Sequence, residues 1–297
     1  NFFKKAGANG KQSLTMSMGF GCNAAGVIAA RIIESPREKL IAILTNNFVP
    51  CNGRFPTLII LASLFMGSVL SGVYNSFIAA AVAVGLVLVG IAVTLFISWL
   101  LSKTLLRGIP SSFSLELPPY RKPKIKEVLL RSFIDRTLFV LWRAIVVAAP
   151  AGLVVWIFAN VKIGDLSLIQ YAANILDPFA LLIGLDGIIL LAFILGLPAN
   201  EIVLPILVMS YLSAGAMLEP SSSESLKNIL VNNGWTWVTA LSTMLFSLLH
   251  FPCATTLLTI KKETNSLKWT IFAALMPLAV AIIVCFVFTQ IINLLSI

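Results

Sequence analysis

The chain has 297 residues, of which 59% are hydrophobic and 11% charged, and its formal net charge is +9. An ordinary soluble domain carries roughly a quarter charged residues, so this composition excludes a soluble enzyme and describes an integral membrane protein. The positive balance calls for no nucleic-acid partner, because Lys and Arg collect on the cytoplasmic loops of membrane proteins.

Lys4, Lys5 and Lys11 precede a short apolar run at 14–33, and Arg31, Arg37 and Lys39 follow it. Both ends therefore read as cytoplasmic, and the run as a re-entrant hairpin turning at Gly19-Phe20-Gly21-Cys22-Asn23. The next run, 40–70, crosses outward and is interrupted by Val49-Pro50-Cys51; a short external turn at 71–76 leads into a returning helix at 77–101. Residues 102–137 form a proline-containing linker with eight Lys and Arg, which places it in the cytoplasm.

A helix at 138–160 then leaves the cytoplasm. The segments 161–187 and 215–234 are poor in positive charge and read as external. A run with two external ends cannot cross, so 188–214 is a second hairpin, turning at Gly196-Leu197-Pro198-Ala199-Asn200-Glu201. The run 235–260 returns inward, interrupted at Phe251-Pro252-Cys253 and followed by Lys261, Lys262 and Lys268; a last helix at 271–297 goes out again.

The breakers recur in order and with opposite orientation. GFGCN matches GLPAN, and VPC matches FPC, which is the pattern of an inverted repeat. The expected architecture is an all-α integral membrane fold. Residues 1–101 make the first repeat, 102–137 a cytoplasmic basic linker and 138–297 the second repeat. Each repeat contains a re-entrant hairpin and a broken transmembrane helix. Unwound backbone survives at membrane depth only where protein or a wet cavity receives it, so the breaks are the expected solute path.

Side chains at the breaks are the candidate ligands. Glu201 is the one acidic or basic residue in 188–214, and a carboxylate there is costly enough to imply function. Asn23 and Asn200 suit helix capping and solute contact alike. Cys22, Cys51 and Cys253 each sit at a break, and thiolates bind soft or borderline metals. Cys285 lies in an unbroken run and reads as a small hydrophobe.

His250, the only histidine, is open to metal ligation or to packing. Arg54 is expected to pair with a carboxylate or with unwound carbonyls. Trp235 and Trp237 read as interfacial anchors. No catalytic constellation is present: Gly7-Ala8-Asn9-Gly10-Lys11-Gln12-Ser13 fails the phosphate-loop spacing and follows no strand.

Taken together, GFGCN, PCNGR, LPANE and FPCATTLLTIKKET resemble the membrane domain of the bacterial ferrous-iron transport protein B family, over essentially the whole chain. The resemblance implies a multi-pass protein of the bacterial inner membrane that imports Fe²⁺ through two inverted Gate repeats, with an outline similar to the concentrative nucleoside transporters. It implies Cys22, Cys51 and Cys253 as the cysteines of the gates, joined on a transport path by Glu201, Asn23 and Asn200. It also implies a GTP-binding domain, with its GTP and Mg²⁺, ahead of Asn1, so that this chain is a fragment without enzyme activity and without a permanently bound cofactor.

The partners implied are Fe²⁺, the bilayer, small cytoplasmic accessory proteins and a second copy of the chain, but no nucleic acid. The chain departs from the family at Ala24-Ala25-Gly26, where many members have Val-Pro, so the hairpin turn is expected to differ in detail. From the residues alone, a carrier of nucleosides or other small polar solutes, or a membrane scaffold that does not transport, also stays open.

Overall fold

A computed structural model describes residues 10–67, 74–108, 124–131, 138–164, 166–213 and 222–295, with positions 3, 6, 7, 133 and 215 besides. The turn at 71–73 and most of the 102–137 linker, with its prolines and Arg121, Lys122 and Arg136, lie outside the described residues.

Among the described residues the fold is helical, with one antiparallel pair of two-residue strands. In chain order come α1 (Gln12–Gly21), α2 (Asn23–Ala29), α3 (Pro36–Thr45), α4 (Phe55–Leu61), α5 (Tyr74–Lys103), α6 (Ile125–Arg131), α7 (Phe139–Asn160), β1 (Lys162–Ile163) and β2 (Leu166–Ser167). There follow α8 (Leu168–Leu182), α9 (Gly187–Leu195), α10 (Val203–Tyr211), α11 (Ser223–Asn232), α12 (Trp237–Leu249), α13 (Ala254–Thr264) and α14 (Leu267–Leu294).

Among the described residues, three stretches are long and apolar enough to cross a membrane: 76–103 in α5, 237–264 through α12 and α13, and 267–294 in α14. Their burial separates their roles. Of the most apolar window, 67% is buried in the α12–α13 span, against 22% in α5 and in α14. The broken span is thus the axis of the molecule, and α5 and α14 turn apolar flanks outward, as lipid-facing helices do.

Helices α1 and α2 pack together across a single extended residue, Cys22, at φ −154° and ψ 126°. Helix α2 begins at Asn23, so position 25 falls in its first turn, where a proline needs no hydrogen-bond donor. Ala24 and Ala25 both lie in that first turn.

Within the helices, start signals do what their chemistry predicts. Ser35 accepts from Glu38 N ahead of Pro36, and Thr236 from Thr239 N at 3.3 Å. Asp186 accepts from Ile189 N at 2.6 Å. Such caps satisfy amides that have no partner inside a helix.

Two elements fall in segments expected only as external connections. Residues 168–182 form α8, started by a reciprocal capping box in which Ser167 receives Gln170 N at 3.3 Å and Gln170 receives Ser167 N at 3.1 Å. It meets α9 at a bend of 109°. Residues 223–232 form α11, which Ser222 caps and which buries Leu226 and Leu230. A count of charges along 161–187 and 215–234 carries no trace of either helix; the apolar spacing of each carries both.

A candidate transport path

Four chain breaks meet in one place. Asn52 N donates to Gly21 O at 3.3 Å, which joins the break after α3 to the α1–α2 turn. Ala254 N donates to Leu197 O at 2.8 Å, joining the break of the α12–α13 span to the turn after α9. The Asn200 amide nitrogen lies 4.0 Å from Cys51 Sγ, which ties one pair of breaks to the other. The thiols of Cys22 and Cys51 both lie within Coulombic range of Cys253.

Local sequence explains each break. Helix α3 tightens into a 3-10 turn at Asn46–Phe48 and then runs extended through Val49, where Pro50 withholds an amide. Helix α12 stops at Leu249, ahead of Pro252. Helix α9 stops at Gly196, whose missing Cβ leaves room for Val203: a Cβ there would lie 2.5 Å from Val203 Cγ2.

The six predicted path residues are differently placed. Cys51 is buried, Cys253 half-buried and Cys22 exposed. Cys253 Sγ also meets Thr256 Oγ1 at 3.2 Å. Asn23 and Asn200 are both buried. With its nitrogen facing acceptors, the Asn23 amide donates to Gly19 O at 3.3 Å and Val49 O at 3.2 Å; this bridges the hairpin to the broken span.

Glu201 is exposed. Its side chain lies over Gly53, where a Cβ would come within 3.0 Å of Glu201 Cγ. It lines a cavity of about 380 Å³ with Thr57, Ile60, Leu204, Ser222 and Leu226. Glu201 thus faces an open cavity beside the breaks, while Cys51 and Cys253 lie below the surface and Cys22 on it. Among the described residues, no three Cys, His, Asp or Glu side chains stand close enough together to hold one metal ion.

Other buried polar residues do the structural work. Asn46 Nδ2 donates to Asn23 O at 3.1 Å. The Asn46 amide sits against Gly19 and Gly26, where added Cβ atoms would come within 2.8 and 2.5 Å of it. Asn47 Nδ2 donates to His250 O at 2.7 Å. The Asn46-Asn47 pair directly before the break was the signal for this role, and a search confined to titratable and thiol groups passes over it.

Arg54 resolves in favour of the carbonyls. It is fully buried. Nη1 donates to Asn47 O and Leu248 O, both at 2.8 Å, and Nη2 to Asn47 Oδ1, His250 O and Phe251 O at 3.1 to 3.2 Å.

His250 resolves in favour of packing. Its ring lies among Phe193, Phe246 and Phe251 at centroid distances of 4.9 to 5.8 Å, and Nδ1 faces Ser247 O at 2.9 Å. Cys285 is buried with its thiol on Ser242 O at 3.6 Å, in keeping with a small hydrophobe.

Trp235 differs from the expected surface anchor. It is 4% exposed, packs on Phe65 at 5.8 Å and donates to Tyr211 Oη at 2.7 Å. Tyr211 in turn donates to Asp186. Trp237 keeps an exposed flank.

With this geometry in place, comparison with known proteins gives the descent. Residues 83–135 match the family described as Ferrous iron transport protein B C terminus, and residues 141–267 match the Gate family, described as Nucleoside recognition. A Fe(2+) transporter FeoB of Staphylococcus aureus (strain MSSA476) is 30% identical over 295 residues, covering 96% of this chain and 41% of the relative. The chain is homologous to ferrous iron transport protein B.

A Fe(2+) transporter FeoB of Methanocaldococcus jannaschii is 30% identical over 305 residues, covering 98% of this chain and 43% of the relative. One of Leptospira interrogans is 27% identical over 293 residues, covering 91% and 41%. The chain thus spans about two fifths of the length of these FeoB relatives. No solved structure matches it. Homology to FeoB and the three spanning stretches make it a multi-pass protein of the cell membrane, the inner one in a two-membrane bacterium.

Proposed function

We propose that this chain forms the membrane path by which ferrous iron is imported, and that the path runs through the meeting point of the four breaks. The observation that carries the proposal is the junction itself. Cys51 of one break touches Asn200 of another, and Cys253 lies within electrostatic reach of Cys51 and Cys22.

Fe²⁺ is borderline in softness and low in the affinity order of divalent metals, so its passage needs thiolate and oxygen donors and favours transit over retention. Cys22, Cys51 and Cys253 supply the soft donors. Asn23, Asn200 and Glu201 supply the oxygens. The ligands act in succession: Glu201 at the open mouth, Asn200 and Cys51 inside, then Cys253 and Cys22.

The two hairpin-plus-broken-span units, 1–101 and 138–297, serve as the two inverted gates of this path, with the outline of a concentrative nucleoside transporter. A GTP-binding domain outside this chain drives or regulates the movement, and the linker at 102–137 is the surface through which it and small accessory proteins act. The relatives' name, Fe(2+) transporter, supports iron over nucleosides as cargo.

The test is uptake of Fe²⁺ into liposomes by the intact polypeptide, with and without GTP, alongside Mn²⁺, Zn²⁺ and uridine. Cys22→Ser and Cys253→Ser are each expected to reduce Fe²⁺ uptake. Wild-type uptake in both sinks the ligand assignment, and uptake of uridine in place of Fe²⁺ sinks the cargo.

A further inference from the structure

The surroundings of Arg54 are those of a cation site. In transporters built from broken helices, unwound carbonyls and the C-terminal ends of half-helices coordinate the coupling Na⁺ or H⁺. Here those groups are Leu248 O, His250 O and Phe251 O at the C-terminal end of α12, with Asn47 O and Asn47 Oδ1 from the break after α3. All five turn their partial negative charge on the guanidinium of Arg54, two on Nη1 and three on Nη2.

Among the described residues no carboxylate pairs with it; its five acceptors are four backbone carbonyls and one amide oxygen. A buried charge ordinarily demands a counter-charge or a metal-like shell of oxygens. Arg54 has the second arrangement, which a dehydrated monovalent cation would otherwise share. The half-helix end contributes too, since the C-terminus of α12 carries the negative end of its macrodipole.

We infer that Arg54 is a tethered substitute for a coupling cation: a permanently occupied ion site between the two broken spans, which leaves the protein with no requirement for Na⁺ or another monovalent ion to hold those spans together. A staple that worked only through hydrogen-bond donors would be satisfied by any donor of the right shape. A cation substitute is satisfied by charge.

The test is thermal unfolding of the purified chain in detergent, a readout that does not depend on which cargo is carried. Wild type should show the same midpoint in NaCl, KCl and choline chloride at equal ionic strength. Arg54→Ala should have a lower midpoint that rises with millimolar guanidinium, Na⁺ or K⁺ and not with choline. A folded Arg54→Ala protein that responds to none of the three small cations overturns the inference, and so does a wild-type midpoint or uptake that requires Na⁺.

Should Arg54→Ala fail to assemble, Arg54→Lys and Arg54→Gln decide the matter. Lysine keeps a charge with poorer geometry, and glutamine keeps donors without charge. A Lys variant more stable than the Gln variant supports the inference, whereas a Gln variant equal to or more stable than Lys overturns it. Loss of Fe²⁺ uptake with this stability pattern intact would fault the cargo assignment and leave the ion-site assignment standing.

Discussion

The two broken spans share a Pro-Cys signature and divide the chemistry unequally. The first break, from Asn46 to Arg54, reaches outward: Arg54, Asn47 and Asn52 all donate to other breaks, and Asn47 O turns back onto Arg54. The second, from His250 to Cys253, receives. Together with Leu248 at the end of α12 it offers three carbonyls to Arg54, and it encloses the imidazole of His250 in three phenylalanine rings. A repeated backbone break therefore fixes where polar groups become free, and the side chains around it fix which break gives and which takes.

That asymmetry predicts unequal consequences. Arg54→Met takes the donor from Asn47 O, Leu248 O and Phe251 O, while His250 O keeps Asn47 Nδ2, and each buried acceptor left unsatisfied costs about 1–3 kcal/mol. His250→Phe keeps the aromatic packing and gives up one hydrogen bond, worth about 1 kcal/mol. Unfolding midpoints of the two variants in the same detergent should differ accordingly, and equal losses would refute the division into donor and acceptor breaks.

The two hairpin turns offer a finer comparison. Gly26→Ala would drive a Cβ to within 2.5 Å of Asn46 on the neighbouring span, and Gly196→Ala would drive one to within 2.5 Å of Val203 beyond its own turn. Each should cost about 1–3 kcal/mol by overpacking. Asn46→Ser should relieve only the first and Val203→Ala only the second. A double-mutant cycle that shows relief across the pairs would mean the turns are not seated as described.

Smaller effects separate the cysteines. Cys285→Ala removes a buried sulfur remote from the breaks and should lower stability by about 1 kcal/mol while leaving Fe²⁺ uptake unchanged. A loss of uptake comparable to that of Cys253→Ser would remove the distinction between them.

The smallest effect expected is at the basic end of the molecule. There Arg31 of the first half grips Glu263 of α13 through two nitrogens, with Lys39 at 3.9 Å. Arg31 is more than half exposed, so Glu263→Gln should cost less than about 1 kcal/mol and the difference should shrink as salt rises. A loss that is insensitive to salt would place this pair among the buried links between the halves.

How much of this was legible follows from what each signal depends on. Breaks written in Gly, Pro and Cys act on their own backbone, so GFGCN, VPC, GLPAN and FPC mark interruptions of the helices without knowledge of any partner. Helices α8 and α11 were hidden because the loops holding them were read only through charge. Ser167-x-x-Gln170 was the available sign. Trp235 could not be placed from sequence, because its burial depends on Tyr211 and Asp186, brought to it from 24 and 25 residues apart in successive steps. Arg54 was legible as a choice between carboxylate and carbonyl, and only the approach of the α12 end to the first break makes the choice.

Gly90 carries a mechanical consequence. On α5, a Cβ at this position would stand 2.5 Å from Phe48 O, 3.3 Å from Leu248 Cδ1 and 3.6 Å from Pro50 Cδ, so at this point the long outer helix meets the first break backbone to backbone. The clearance between the outer helix and the break is therefore the thickness of a glycine, and any larger residue at position 90 would wedge Phe48 and the break away from α5.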